Sequence, residues 1–396
     1  MAATRLLFYS HDTFGLGHFR RSLTIANHLR RNLPEASVLI MTGLEAAYVF
    51  ETPAGVDFVK LPAVQKVGPD TYRSRHLHIS FNRVRRLREN LIRAVAKSFN
   101  PHILVVDNVP RGVDGELLPT LDYLRTHRPQ TQVVLTLRDV LDIPEEIVPL
   151  WREWDVYSLL ERCYDEIWVA GWQDLFDPTR LYEFPATVAA KTQFCGYIVQ
   201  RASRKAAAAI EQELRLSGAP LSVVSAGGGG DGFALLRAYA DAVDRLGRDG
   251  VKSVVCLGPD MPPQQRNDLK RRLLPLSDHV LLFDFRPDLV SFLPLASVTV
   301  SMAGYNTVAE VLAHEKPAVV VPRVYPRREQ WLRAHALEER GLLRTIDPEN
   351  LSPDALIEAM SAELRGGTPP PAPIDFGGLK RITHRARLLL GVEGNA

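Results

Sequence analysis

The residues of this chain best suited to chemistry lie at a few loops that follow short apolar runs. The first is Ser10-His11-Asp12-Thr13-Phe14-Gly15-Leu16-Gly17-His18, directly after the opening run. Its glycines make room for a small molecule, and an imidazole titrates in the range that a general base requires. A Gly-x-Gly-x-x-Gly dinucleotide fingerprint is not completed here, because Arg20 occupies the third glycine position. His18, at the start of a helical pattern, is therefore the expected base, with His11 and Asp12 as rivals. Asp107 closes the run Ile103-Leu104-Val105-Val106. The plain reading of a carboxylate there is a loop aspartate bonding its own backbone. Gly17 and the pair Arg138-Asp139, after a further strand, complete the candidate contacts to a substrate.

The second half carries another kind of chemistry. Val223-Val224-Ser225 runs into Ala226-Gly227-Gly228-Gly229-Gly230-Asp231-Gly232 and then a helical pattern. Glycines let backbone N–H groups approach phosphate oxygens, and the following helix adds its N-terminal dipole. Four consecutive glycines exceed what a turn alone requires. Ser301-Met302-Ala303-Gly304-Tyr305-Asn306-Thr307-Val308-Ala309-Glu310 repeats the scheme, with Asn306 or Thr307 as the expected cap. Glu310, one turn inside, suits a ribose, whose two hydroxyls a carboxylate can accept together; the alternative is an exposed acid favouring the helix dipole. Glu329-Gln330 then offers mixed donors and acceptors for sugar hydroxyls.

These loops need a scaffold, and the pattern supplies one. β-branched runs at 6–10, 37–41, 58–61, 103–107, 132–137, 166–170 and 192–195 alternate with helical patterns such as 18–31 and 83–99. The scheme recurs with strands at 221–225, 253–257, 280–283, 298–301 and 318–321, and helices from Gly232, Pro263, Pro287 and Thr307. That is α/β with parallel sheets, two consecutive doubly wound units, in which ligands bind beyond the carboxyl ends of strands. The expected domains are 1–198, 199–372 and a terminal basic helix within 373–396 that crosses back to the first. The linker before it is Gly366-Gly367-Thr368-Pro369-Pro370-Pro371.

Bulk properties narrow the classes further. At 396 residues two domains are the prior. A net charge of +2 argues against a protein dominated by nucleic-acid binding. Three cysteines without short paired spacing exclude a disulfide scaffold and a zinc ribbon, and suit a reducing cytosol. No Asp-x-Asp pair of metal-binding character stands near the loops, so neither metal nor cofactor is expected. The apolar runs are too short to span a bilayer, and no secretory signal is expected. From 73 to 97, eight basic residues face one acid, Glu89, while Phe81, Val84, Leu87, Leu91 and Ile92 recur at helical spacing. The simplest account is a solvated face; a phospholipid surface, an anionic substrate or nucleic acid would also suit it.

The ordered second-half motifs resemble the GT-B glycosyltransferase superfamily, in particular the glycosyltransferase family 28 C-terminal domain of MurG-like transferases. The resemblance rests on 227–232, on Ala303 to Glu310, on Lys316-Pro317 and on Glu329-Gln330 with Ala334. It implies a GT-B fold, two Rossmann-like domains facing a cleft where sugar passes from a nucleotide diphosphate donor, UDP-linked, to an acceptor. Roles implied by the resemblance fall on Gly228, Gly229, Gly304, Asn306 and Thr307 for the diphosphate, Glu310 for the ribose, and Glu329 and Gln330 for the sugar. Phe285 borders the base. Gly15-Leu16-Gly17-His18 is similar to the Gly-x-Gly-His loop of such enzymes, whose histidine acts as base in several branches, often paired with an aspartate after a later strand. The resemblance thus implies an Asp107 carboxylate bonded to one ring nitrogen of His18, which would hold the tautomer and stabilise the imidazolium. Two positions depart from the family: Asp231 and an extra glycine stand where Ser and Gln are common, and Arg333 where a polar residue such as Asn is common. The expected reaction inverts the anomeric centre, in the cytoplasm or at the inner membrane face, with an unidentified small or lipid-linked acceptor. A nucleotide-sugar epimerase or hydrolase on the same fold, or a nucleotide- or nucleic-acid-binding module, is the alternative.

Overall fold

The computed structural model describes residues 4–12, 16–68, 71–202, 204–214, 216, 218–367 and 372–392. Gly15 and most of the 366–371 linker lie outside the described residues. The chain divides into two compact units, one of residues 1–198 with 374–396 and the other of 199–373.

In the first unit, strands β1 (Arg5–Tyr9), β2 (Ser37–Thr42) and β3 (Val56–Lys60) are followed by a short antiparallel pair, β4 (Val64–Lys66) and β5 (Tyr72–Ser74). Then come β6 (Ile103–Asp107), β7 (Gln132–Arg138), β8 (Glu166–Ala170) and β9 (Thr192–Phe194). Apart from β4 and β5 they form one parallel sheet in the order β3-β2-β1-β6-β7-β8-β9. Every residue of β6 and β8 is buried, as expected of strands covered by helices on both faces. The order reverses at β1, which pairs with β2 on one side and β6 on the other. Tyr9 lies opposite Val106, so the chain leaves β1 beside Asp107. Such a switch point is where a doubly wound sheet opens a crevice.

The second unit repeats the plan with β10 (Leu221–Ser225), β11 (Lys252–Cys256), β12 (Val280–Phe283), β13 (Val298–Ser301), β14 (Ala318–Val320) and β15 (Arg344–Thr345). Their order is β12-β11-β10-β13-β14-β15, reversing at β10. Ser225 pairs with Ser301, which sets the glycine-rich turn next to the loop after β13.

Three expectations change. The segment from Pro287 forms a 3-10 turn, Leu289–Leu295, interrupted by Pro294, which has no N–H to give. The helix expected from Thr307 is Tyr305–Ala313, with Gly304 at its N-cap and no side-chain cap bond, so Asn306 and Thr307 lie in its first turn. The basic helix spans Phe81–Phe99, and its buried line is Val84, Arg88, Ile92 and Ala96, while Leu87 is exposed. Arg88 tolerates burial because its guanidinium bonds both oxygens of the buried Glu116 and the Pro62 carbonyl. Glu116 also accepts from Tyr9 at the end of β1.

Candidate functional site

In the first unit the site begins with the helix Gly17–Asn32, which opens directly after the β1 loop. Gly17 is exposed at its start, and the His18 side chain keeps 14% exposure. The His18 Nδ1–H donates to Asp107 Oδ2 over 2.6 Å. One turn on, Arg21, only 2% exposed, donates to the other oxygen of the same carboxylate. The backbone N–H of His11 approaches Asp107 Oδ2 at 3.4 Å. Burial by itself would raise the Asp107 carboxyl, but the Arg21 guanidinium and then His18 outweigh it and hold it well below the usual carboxylate range. An ionised carboxylate only accepts, so the ring presents its Nδ1–H to Asp107; in the neutral imidazole that leaves the lone pair on Nε2.

The rival bases are otherwise engaged. His11 is buried, meets the His18 ring edge-on at 5.6 Å, and is kept neutral because burial, and then His18, push its pKa well down. The Asp12 carboxylate is buried and accepts from the Ser10 and Thr42 hydroxyls. Burial raises its pKa against those bonds. Asp139 is fully buried and accepts from the Val140 N–H and the Tyr197 hydroxyl, so it braces the end of β7 instead of facing a substrate. Arg138, half-buried, reaches Asn108, which follows Asp107 directly in the loop after β6.

Sequence reasoning passed over Arg21. Its spacing of three from His18 puts both on one helical face, but a lone arginine in a basic helix carries no further signal.

In the second unit the glycines divide into two kinds. Gly229 sits at φ +86°, its N–H donates to the Ala226 carbonyl, and a Cβ there would lie 2.3 Å from the Leu257 carbonyl oxygen. Gly258, in the loop after β11, is its counterpart at φ +97°, and a Cβ there would lie 2.5 Å from Gly228. These two positions let one loop lie directly on the other, so Gly229 serves packing and does not present its N–H outward, contrary to the sequence expectation. Gly228 is half-buried, and its carbonyl accepts from the Asp260 N–H. Gly227 and Gly304 have open space where a Cβ would stand. A Cβ at Gly232 would come within 3.2 Å of the Met302 sulfur, which shows how closely the turn abuts the loop after β13.

Glu310, on the helix that follows that loop, is only 7% exposed, which removes the alternative of a solvated first-turn acid. Arg333 is fully buried, donates to the Ala303 carbonyl at 3.0 Å, and lies under the Tyr305 ring. It therefore pins the β13 loop. Glu329 is buried and ion-paired with Arg323, whose backbone N–H donates to Gln330 Oε1 at 2.9 Å. Arg323 also reaches Asp231 of the glycine turn at 3.3 Å. Phe285 is half-buried in the loop after β12, beside Arg286, which lies over the Phe283 and Phe292 rings. Among the described residues no group of three or more His, Cys, Asp or Glu could hold a metal ion, and no helix is long and apolar enough to cross a membrane.

Residues 223–369 match the family described as glycosyltransferase family 28 C-terminal domain. A curated relative from Exiguobacterium sp., UDP-N-acetylglucosamine–N-acetylmuramyl-(pentapeptide) pyrophosphoryl-undecaprenol N-acetylglucosamine transferase, is 28% identical over 158 residues, 40% of this chain. The match spans 42% of that relative's length. Among solved structures, MurG of Acinetobacter baumannii aligns at TM-score 0.53 and 14% identity, covering 97% of this chain and 95% of its own. A UDP-N-acetylglucosamine 2-epimerase from Listeria monocytogenes aligns at TM-score 0.60 and 14% identity, covering 99% and 98%. The two parallel Rossmann-like sheets are those of the GT-B fold.

Proposed function

We propose that this chain, whose residues 223–369 are a glycosyltransferase family 28 C-terminal domain on a GT-B fold, transfers a sugar from a nucleotide diphosphate sugar to an acceptor hydroxyl. The observation that carries the reading is the His18–Asp107 pair at the switch point of the first sheet, with Nδ1 committed to the carboxylate. In the reaction His18 Nε2 takes the acceptor proton as the acceptor oxygen bonds the anomeric carbon. The bond from that carbon to the diphosphate oxygen breaks, and the nucleoside diphosphate leaves with its electron pair. Attack opposite the leaving group inverts the anomeric centre. Asp107 stays ionised, holds the ring and offsets the charge of the imidazolium.

The donor belongs to the second unit. The open side of Gly304 suits phosphate oxygens, and Gly227 leaves room for them while its own N–H donates to Ser225 Oγ. The first turn at Asn306 and Thr307 supplies the helix dipole, and Glu310 suits the ribose hydroxyls. The relative's name supports UDP as the nucleotide and a lipid-linked acceptor. In keeping with a membrane-borne acceptor, exposed Tyr48, Val49, Leu77, Ile79 and Leu87 stand near exposed Arg73, Arg75, Arg83 and Arg86. Glu45 pairs with Arg75 and His76, and Tyr72 stacks on Phe81, which gathers these segments.

The test is product analysis with UDP-sugars, with and without lipid-linked acceptors. Transfer is expected, and His18→Ala should keep UDP binding while turnover falls by orders of magnitude. The epimerase likeness supports one rival reading: sugar released or epimerised from donor alone would establish it in place of transfer.

A further inference from the structure

Asp231 poses a physical problem. It places a carboxylate in the turn that the reading above assigns to a diphosphate, where like charge opposes binding. The structure shows what neutralises it: Arg323 Nη1 lies 3.3 Å from Asp231 Oδ2, while Nη2 of the same guanidinium bonds Glu329. The two partners are held unequally. The Glu329 side chain is 4% exposed and that of Arg323 13%, whereas that of Asp231 is 29% exposed. The Arg323 backbone is further tied to Gln330. Displacing Asp231 by a competing anion would return it to water at small cost and leave the buried Arg323–Glu329 pair in place.

We infer that Arg323 is a donor-phosphate-binding residue and that Asp231 is its internal competitor, an anion that occupies the guanidinium until a diphosphate takes its place. The inference rests on the donor-site reading above. A guanidinium presents two parallel N–H donors, so one face serves Glu329 while the other passes from carboxylate to phosphate. The exchange explains why this chain accommodates an acid where the family commonly has Gln. It also makes diphosphate affinity the difference between two anions competing for one cation, which sets a weaker and more salt-sensitive grip than an uncontested arginine would give.

Calorimetric titration of the full chain with UDP, and with uridine, which lacks phosphates, tests this. Asp231→Asn preserves size at an exposed position and should tighten UDP about three- to tenfold while leaving uridine unchanged. Arg323→Gln should weaken UDP tenfold or more on the order of a lost charge-assisted bond, and adding Asp231→Asn to it should then bring no gain. An Asp231→Asn variant that binds UDP no more tightly than the parent overturns the inference. So does an equal gain for uridine, or the same gain in the Arg323→Gln background. A parent protein that binds neither ligand overturns the donor reading itself, and is told apart because no variant is then needed.

Discussion

Replacing Asp107 by Asn separates what the buried network does for stability from what it does for chemistry. Asn keeps the shape but takes from Arg21, 2% exposed, the Asp107 carboxylate that it bonds. Removing one member of a buried pair costs about 3–5 kcal/mol. For a domain of this size each kcal/mol lowers Tm by about 2–4 °C, so the melting transition should fall by roughly 6–20 °C. Turnover should fall by about 10³–10⁴, because an amide no longer enforces the Nδ1–H tautomer of His18. Arg21→Met in the same background removes that buried charge as well. The double variant should regain most of the lost stability while remaining as inactive as the single one. The acid limb supplies an independent reading. The folded Asp107 carboxyl is held below its unfolded value, so between the two the folded state binds fewer protons and its stability rises with pH. That contribution is complete above about pH 4 and lost below it, and Asp107→Asn should flatten this part of the profile. Differential scanning calorimetry across pH 2.5–7, as an approximate range, and donor-turnover assays measure both quantities. Additive destabilisation in the double variant, or near-normal turnover in Asp107→Asn, would refute the reasoning.

Gly258→Ala and Gly304→Ala should behave oppositely. The first meets the Gly228 backbone at 2.5 Å with φ +97°, and should cost about 2–5 kcal/mol. The second has open space and φ −64°, so it should melt within about 0.5 kcal/mol of the parent yet weaken UDP binding, as thermal shift and calorimetry will register. Burial keeps the folded His11 neutral, so below about pH 6.5 the unfolded chain binds the extra proton and stability falls as pH falls. His11→Asn should reduce that slope, by at most about 1.4 kcal/mol per pH unit, in denaturant titrations at pH 5–7, again approximately. Finally, vesicles rich in anionic lipid should retain the protein at low salt, and Arg83→Glu with Leu87→Ser should weaken retention severalfold in sedimentation assays; unchanged retention removes that surface from the acceptor side.

Much of the scaffold was legible because local pattern is enough to see it. β-branched runs such as 103–107 and 221–225 became fully buried strands, since burial on both faces shows as an unbroken apolar run. The β4–β5 pair and β15 escaped notice because two or three residues carry no measurable period. Loops with His18, Gly227 and Gly304 were identifiable from residue type and from their place after strands. Most pairings across long separations were not. Residue type and loop position favoured His18 over His11 and Asp12 as the base, with Asp107 as its expected partner. The β1–β6 register brings that carboxylate from 89 residues away to His18 Nδ1, and adds Arg21 at its other oxygen, which the sequence did not announce. Arg88 looked like a member of a solvated face until Glu116 arrived from another segment to neutralise it. Gly229 and Gly230 are indistinguishable along the chain, and the loop after β11 assigns the first to packing by lying against it. Periodicity reports how much of a helix or strand is hidden from water. Which charge meets which depends on sheet order, and that is a property of the folded chain.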